Sequence, residues 1–145
     1  MNADDLEQVF DNCACFRARA VARRLTRDYE DALKGLGLKA TQFTILAVIK
    51  GRPPQSIKAM ADKLAMERTS LVRTLSLMEK NGWVKLAPEG YRRERSMELT
   101  PKGEKLLEKA LPLWQKSHQQ FEQRVGSQKW QDNKQWFLDV AFGGD

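Results

Sequence analysis

A chain of 145 residues with 41% hydrophobic residues has enough apolar material for one packed domain, or one subunit with two lobes, so disorder is not its default state. Its 25 Lys and Arg against 19 Asp and Glu give a formal net charge of +6, which points to a polyanionic partner without choosing between nucleic acid and an anionic membrane surface. The opening MNADDLEQVF has neither the basic nor the apolar region of a secretory signal, and no apolar run approaches the ~18 residues of a spanning helix, so a cytoplasmic protein with no membrane partner is expected.

The first long segment, from about Leu6 to Leu36, carries apolar residues at helical spacing, among them Val9, Phe10, Cys13, Phe16, Val21, Leu25 and Leu33, and reads as one helix. Cys13 and Cys15 lie two apart within it. Their side chains then point in different directions and do not easily pair, which excludes a disulfide framework and suits a reducing compartment. Gly35 and Gly37 break the period, and Thr41 is placed to cap a short apolar helix that ends at Gly51. After the RPPQS loop, Ser56 is placed to cap a further helix whose inner face is Ile57, Met60, Ala61 and Leu64.

A tight turn around Ala65 and Met66 leads into MERTSLVRTLSLMEKNGWV, residues 66–84. Two short helices joined this way have the layout of a helix-turn-helix, with the second as the reading helix. Leu71, Val72, Leu75 and Met78 cluster on one side of the second helix; Thr69, Ser70, Arg73, Ser76 and Lys80 fall on the other. Solvated faces favour Glu and Lys, which are better helix formers than Ser and Thr. Hydroxyls near the amino-terminal turn make sense where they meet phosphates or base edges, and Arg73 is suited to grip a guanine through O6 and N7. For the helix alone, a wet surface is the better reading.

The segment after Asn81-Gly82 reverses those odds. WVKLA reads as a strand, PEGY as a turn and RRERSMEL as a returning strand in which Met97 and Leu99 alternate with Ser96 and Glu98. Arg92, Arg93 and Arg95 crowd the tip of this hairpin, where no core has a use for them. Such a basic wing beside a reading helix suits a minor groove or a phosphate backbone, where negative potential is concentrated. Thr100 and Pro101 then start another helix as cap and first residue, with a kink or break expected at Pro112. Gly126 and Ser127 end it and cap a last helix carrying Trp130 and Phe137. The apolar faces of the first and last helices exceed what a winged-helix core can cover, so they are expected to intertwine with a second copy, which also suits a two-fold operator.

The fold expected is therefore mainly α with a small β-hairpin wing, a winged helix-turn-helix with an intertwined helical dimerisation lobe. Its parts are an N-terminal dimerisation helix (1–36), a DNA-binding lobe (37–100) and C-terminal dimerisation helices (101–145). From ATQFTILAVI through MADKLAMERTSLVRTLSLMEKNGWV to RSMELTPKGEKLL the chain resembles the MarR-type winged helix-turn-helix transcription regulators. The resemblance implies a homodimer on a palindromic double-stranded DNA operator, the helix from Glu67 to Lys80 in the major groove and the arginine wing in the minor groove. It also implies a repressor released by a small aromatic or phenolic ligand or by cysteine oxidation. By position, Thr69, Ser70, Arg73 and Thr74 match the family's reading surface and Arg93 its wing-tip arginine. The family often has an aspartate two residues before that arginine; Tyr91 stands there in this chain, so the load is open to being shared by Arg92 or Arg95. The family's ligand site, between the dimerisation helices and the winged lobe, would lie near Tyr29, Phe43 and Trp114.

Several residues keep two readings. Arg68 suits an internal ion pair with an acid and a phosphate contact equally. Cys15 is a redox candidate, since sensor thiols need a lowered pKa and Arg17 and Arg19 are close in sequence, although free cysteines are most often inert packing. His118, the single histidine, has no second ligand at metal spacing, so no metal and no cofactor are assigned. One histidine and no glycine-rich phosphate loop argue against an enzyme. A redox-sensing regulator of the same fold, and a winged-helix protein-interaction module without operator binding, are the alternatives; the polar reading face and basic wing favour DNA over the second.

Overall fold

A computed structural model describes residues 1–143. The helices are α1 (Ala3–Asn12), α2 (Ala14–Leu33), α3 (Ala40–Gly51), α4 (Ile57–Leu64) and α5 (Arg68–Lys80); strands β1 (Val84–Leu86) and β2 (Met97–Leu99) come next, then α6 (Pro101–Val125) and α7 (Ser127–Phe142). The fold is mainly helical with one small antiparallel hairpin, whose register pairs Val84 with Leu99 and Leu86 with Met97.

The single first helix expected from the periodicity is two. Cys13 leaves the helical region (φ −69°, ψ 107°), and its sulfur accepts from the Phe16 amide at 3.4 Å to cap α2. An apolar period survives such a break, because it reports which side chains share a face and not whether every backbone bond is made. A short 3-10 turn, Lys34–Leu36, succeeds α2 and closes on Gly37 in the left-handed region (φ 66°), where glycine carries no Cβ penalty. Thr41 does not cap α3. Lys39 holds the cap position, its amide donating to Gln42 Oε1 at 2.9 Å, and Thr41 lies within the first turn.

Ser56 caps α4 as its position predicts, accepting from the Ala59 amide at 3.0 Å. Ala65, left-handed at φ 51°, turns the chain, and the Met66 amide returns to the Ala61 carbonyl. On α5, Leu71, Leu75 and Met78 are buried, but Val72 is exposed and does not belong to the inner face. The 71, 75, 78 spacing keeps one stripe on the core, and one residue on from Leu71 lies about 100° round the helix. Glu67 is the residue before α5, not part of it.

The wing strands are only three residues each, and Arg92 and Arg93 stand in a turn between them instead of on the returning strand. Thr100 caps α6 with Pro101 next, its hydroxyl accepting from the Gly103 amide at 3.0 Å. α6 runs unbroken through Pro112, so of the kink or break expected there the break does not occur. Pro112 and Glu108 both face solvent, so water can satisfy the carbonyl left without a donor, while Ala110, Trp114 and Ser117 pack inward on either side. α7 starts from Gly126 (φ 96°) with no side-chain cap, so Ser127 is its first residue and not its cap.

The buried apolar core runs in sequence from Leu33 to Ala110, with Ile45, Leu46, Met60, Leu71, Leu75 and Met78 almost inaccessible. The core thus fills the winged-helix lobe and extends onto the parts of α2 and α6 that pack on it. α2 packs along α6, and α3 packs against β2 and α6. The flanking helices instead expose Leu6, Val9, Phe10 and Phe16 at one end and Trp136, Phe137, Leu138, Val140 and Phe142 at the other. Among the described residues no single helix is long and apolar enough to cross a membrane.

Candidate nucleic-acid interface

Thr69, Ser70, Arg73, Ser76 and Lys80 are all exposed on α5, opposite its buried stripe. Thr74 is half-buried, and its hydroxyl donates to the Ser70 carbonyl at 3.0 Å. That bond draws its hydroxyl back onto its own helix, so Thr69, Ser70 and Arg73 are the freer groups of this exposed face.

The wing tip is held in an unusual backbone. Arg92 and Arg93 are both left-handed (φ 53° and 60°), a conformation that side-chain-bearing residues adopt at a cost and that concentrates at functional sites. Local bonds keep it: the Gly90 amide donates to Glu94 at 2.7 Å and the Glu94 amide to Tyr91 at 3.1 Å. Tyr91 is exposed, and the Arg92 guanidinium lies 5.3 Å from its ring centroid. Glu89, four residues before Arg93, supplies a carboxylate 3.9 Å from its Nε. An acid thus stands near Arg93 from within the same turn, beyond hydrogen-bond distance.

Arg95 braces the wing. Its amide donates to Gln55 at 2.8 Å, its Nε donates to the Ala87 carbonyl at 2.8 Å, and the residue is half-buried. Arg68 is exposed and has no ion pair among the described residues, which removes the internal-pair reading. Arg68, Arg92, Arg93 and Arg95 line one cleft of about 130 Å³ with Ser56 and Lys58 from the start of α4 and Glu89 from the wing. Ser56 and Lys58 were not among the sequence candidates: one was read only as a cap, and no local pattern tells that the α4 amino terminus faces the wing.

The three residues singled out for a ligand meet one another. Trp114 stacks on Tyr29 and Phe43, with centroids 6.3 and 5.9 Å apart. His118 continues the stack at 5.1 Å from Trp114; its Nδ1 lies 3.1 Å from the Tyr29 hydroxyl and its Nε2 3.1 Å from Glu122. Burial, then the charges of Asp28 and Glu122, raise the Tyr29 pKa above its ordinary value. Beside the stack, α2 and α6 border an open cleft of about 540 Å³ lined by Arg24, Asp28, Lys116, Phe121 and Arg124 among others. Cys15 is exposed and Cys13 is half-buried at the junction between α1 and α2. Cys13 is outside both helices, so the two do not share one, yet both thiols are free, as expected.

Residues 36–94, the turn before α3 through the wing tip, match the MarR family model. The M. tuberculosis transcriptional regulator MosR, solved in complex with DNA, is 34% identical over 90% of this chain and 94% of that one, with a TM-score of 0.81. The chain belongs to the MarR family. Its members are winged helix-turn-helix transcription regulators, not enzymes. The uncharacterized HTH-type transcriptional regulator YwoH of Bacillus subtilis (strain 168) is 29% identical over 87 residues, 60% of this chain and 64% of that protein. At 19% identity a mutant MarR from E. coli, complexed with operator DNA, shares the fold alone (TM-score 0.79, covering 92% of this chain and 96% of that one).

Proposed function

We propose that the protein is a sequence-specific DNA-binding regulator, a repressor that holds a palindromic operator as a homodimer and releases it when a small aromatic ligand binds. The observation that carries this reading is the convergence of the first turn of α5 and the wing arginines on one cleft beside the exposed Thr69, Ser70 and Arg73. Hydroxyls and Arg73 would read base edges in the major groove, and the wing would hold the adjacent minor groove or backbone. Residues 1–36 and 101–145 would form the dimerisation lobe around the DNA-binding lobe of 37–100; the apolar residues left exposed on α1 and α7 support a role for the chain ends in an assembly. Two reading helices about one helical turn apart, ~34 Å, would then meet successive major grooves.

The ligand would act where the lobes join. Tyr29, Phe43 and Trp114 tie α2, α3 and α6 together, and the neighbouring cleft has room for an aromatic acid whose carboxylate meets Arg24, Lys116 or Arg124. A ligand that binds better to a different spacing of the two reading helices lowers DNA affinity by that difference alone.

A second reading of the signal is oxidation, favoured by the exposure of Cys15 next to the helix break at Cys13. A peroxide would give one oxygen to the Cys15 sulfur, leaving a sulfenic acid and water. Fluorescence anisotropy against the duplex upstream of its own gene and a scrambled duplex, at one salt concentration, tests the main reading. Tighter binding to the native duplex is expected, with release by an aromatic acid or, on the second reading, by peroxide in wild type and not in Cys15→Ser. Equal binding to both duplexes would leave only non-specific electrostatics.

A further inference from the structure

The one histidine of the chain, His118, sits where three helices meet. Its ring lies flat against Trp114 of α6, 5.1 Å away and 4° from parallel, and takes the edge of Trp130 from α7 at 5.9 Å. Nδ1 lies 3.1 Å from the Tyr29 hydroxyl of α2, and Nε2 lies 3.1 Å from the Glu122 carboxylate one turn further along α6. These two partners fix the hydrogens between them. An ionised carboxylate only accepts, so Nε2 carries a hydrogen; the neutral ring then has Nδ1 bare, and the Tyr29 hydroxyl donates to it. A further proton has only Nδ1 to go to. There it reverses the bond to α2: the ring becomes the donor, and the phenol must accept and send its own hydrogen elsewhere. The acid beside it in sequence, Asp28, is already held by Arg24 of its own helix and by Arg124 of α6, at 3.0 and 3.3 Å.

We propose that this joint is a proton-operated latch, in which protonation of His118 loosens α2 from α6 and lowers the affinity of the dimer for DNA. The proposal rests on the DNA-binding reading above and adds acidity as a signal, acting beside the cleft that Asp28, Phe121 and Arg124 line. The ionisable groups around the Tyr29–His118 pair are Asp28 from α2 and Glu122 and Arg124 from α6, while α7 meets the ring with the edge of Trp130. Glu122 and the face of Trp114 both favour a cation. An imidazolium is thus held on the α6 side, and the cost of its arrival falls on the bond that reaches α2. The proton comes from solvent and returns to it, so no other reactant is needed.

The test uses the full-length protein with isotope-labelled histidine, and the duplex that wild type selects from a randomised pool. Ring-nitrogen chemical shifts report which nitrogen carries the hydrogen. Near about pH 8 they should show Nε2 protonated and Nδ1 bare, and the opposite tautomer would overturn the latch. In fluorescence anisotropy, wild type should lose roughly tenfold in affinity relative to His118→Gln between about pH 7.5 and 5.5. Tyr29→Phe, which has no hydroxyl to displace, should bind more weakly than wild type near neutral pH and lack the acid-dependent loss; thermal melts at each pH check that both variants are folded. If wild type and His118→Gln follow parallel curves, or acid tightens wild type relative to the variant, the latch is refuted while DNA reading stands. If wild type selects no duplex, the regulator reading falls and takes the release step with it, and the tautomer still decides the wiring of the joint.

Discussion

Arg73 and Arg93 stand on different elements and should fail differently. Arg73→Ala is expected to cost about 1–3 kcal/mol on the operator and to relax one base position, as measured by affinity across a set of single-base operator variants. Arg93→Ala should weaken native and scrambled duplexes alike and flatten the salt dependence, because a wing arginine contributes charge more than sequence. Tyr29 carries the pH dependence. Its folded-state pKa is raised above the ordinary 10.0 by burial and neighbouring acids, so the native state favours the neutral phenol. That contribution is whole below the ordinary value and is lost as pH rises through the raised one. Urea melts between neutral and strongly alkaline pH should show this loss in wild type and a smaller one in Tyr29→Phe. At neutral pH the variant should be about 1 kcal/mol less stable, since His118 loses its phenol partner.

At the scale of elements, the start of α6 fixes the wing to the lobe. The Thr100 amide donates to Trp83 at 3.0 Å, and Trp83 in turn crowds Gly103 so closely that a Cβ there would stand 2.0 Å from its carbonyl oxygen. Backbone on both sides leaves no flexible end to move. Gly103→Ala should therefore destabilise the fold despite the better helix propensity of alanine, and thermal melting should show it directly. Pro112 is the opposite case. With its face open to solvent and α6 continuous through it, Pro112→Ala should restore a backbone bond and raise stability, by up to about 3 kcal/mol. An unchanged or lowered melting temperature would mean that the proline serves packing in an assembly.

For the whole molecule, the imbalance between a closed central core and apolar helical ends decides the expectation. α7 leaves Trp136 60% and Val140 64% exposed, and α1 leaves Phe10 65% exposed, large apolar side chains that a second copy would remove from water. Sedimentation of wild type should give a dimer. Trp136→Glu should shift it toward monomer and weaken operator binding, because one reading helix alone holds half of a palindrome. A monomeric wild type that still preferred its operator would sink the two-fold reading.

The sequence by itself determined the elements whose information is local. The Ser56 and Thr100 caps, the stripe of Leu71, Leu75 and Met78, and the turn at Ala65 and Met66 each depend on residues within a few positions, as caps and helical faces must. The same locality made the exposed hydroxyl-and-arginine face of α5 legible, since it follows from the helical stripe of Leu71, Leu75 and Met78. Tertiary structure decided what depends on meeting across the chain. Only there do Ser56 and Lys58 face Arg68 and the wing, Glu89 approach Arg93, and Arg95 turn inward as a brace. The break at Cys13 and the continuity at Pro112 belong to the same class. Periodicity records which face is apolar, whereas whether a backbone bond survives depends on the solvent and packing around it.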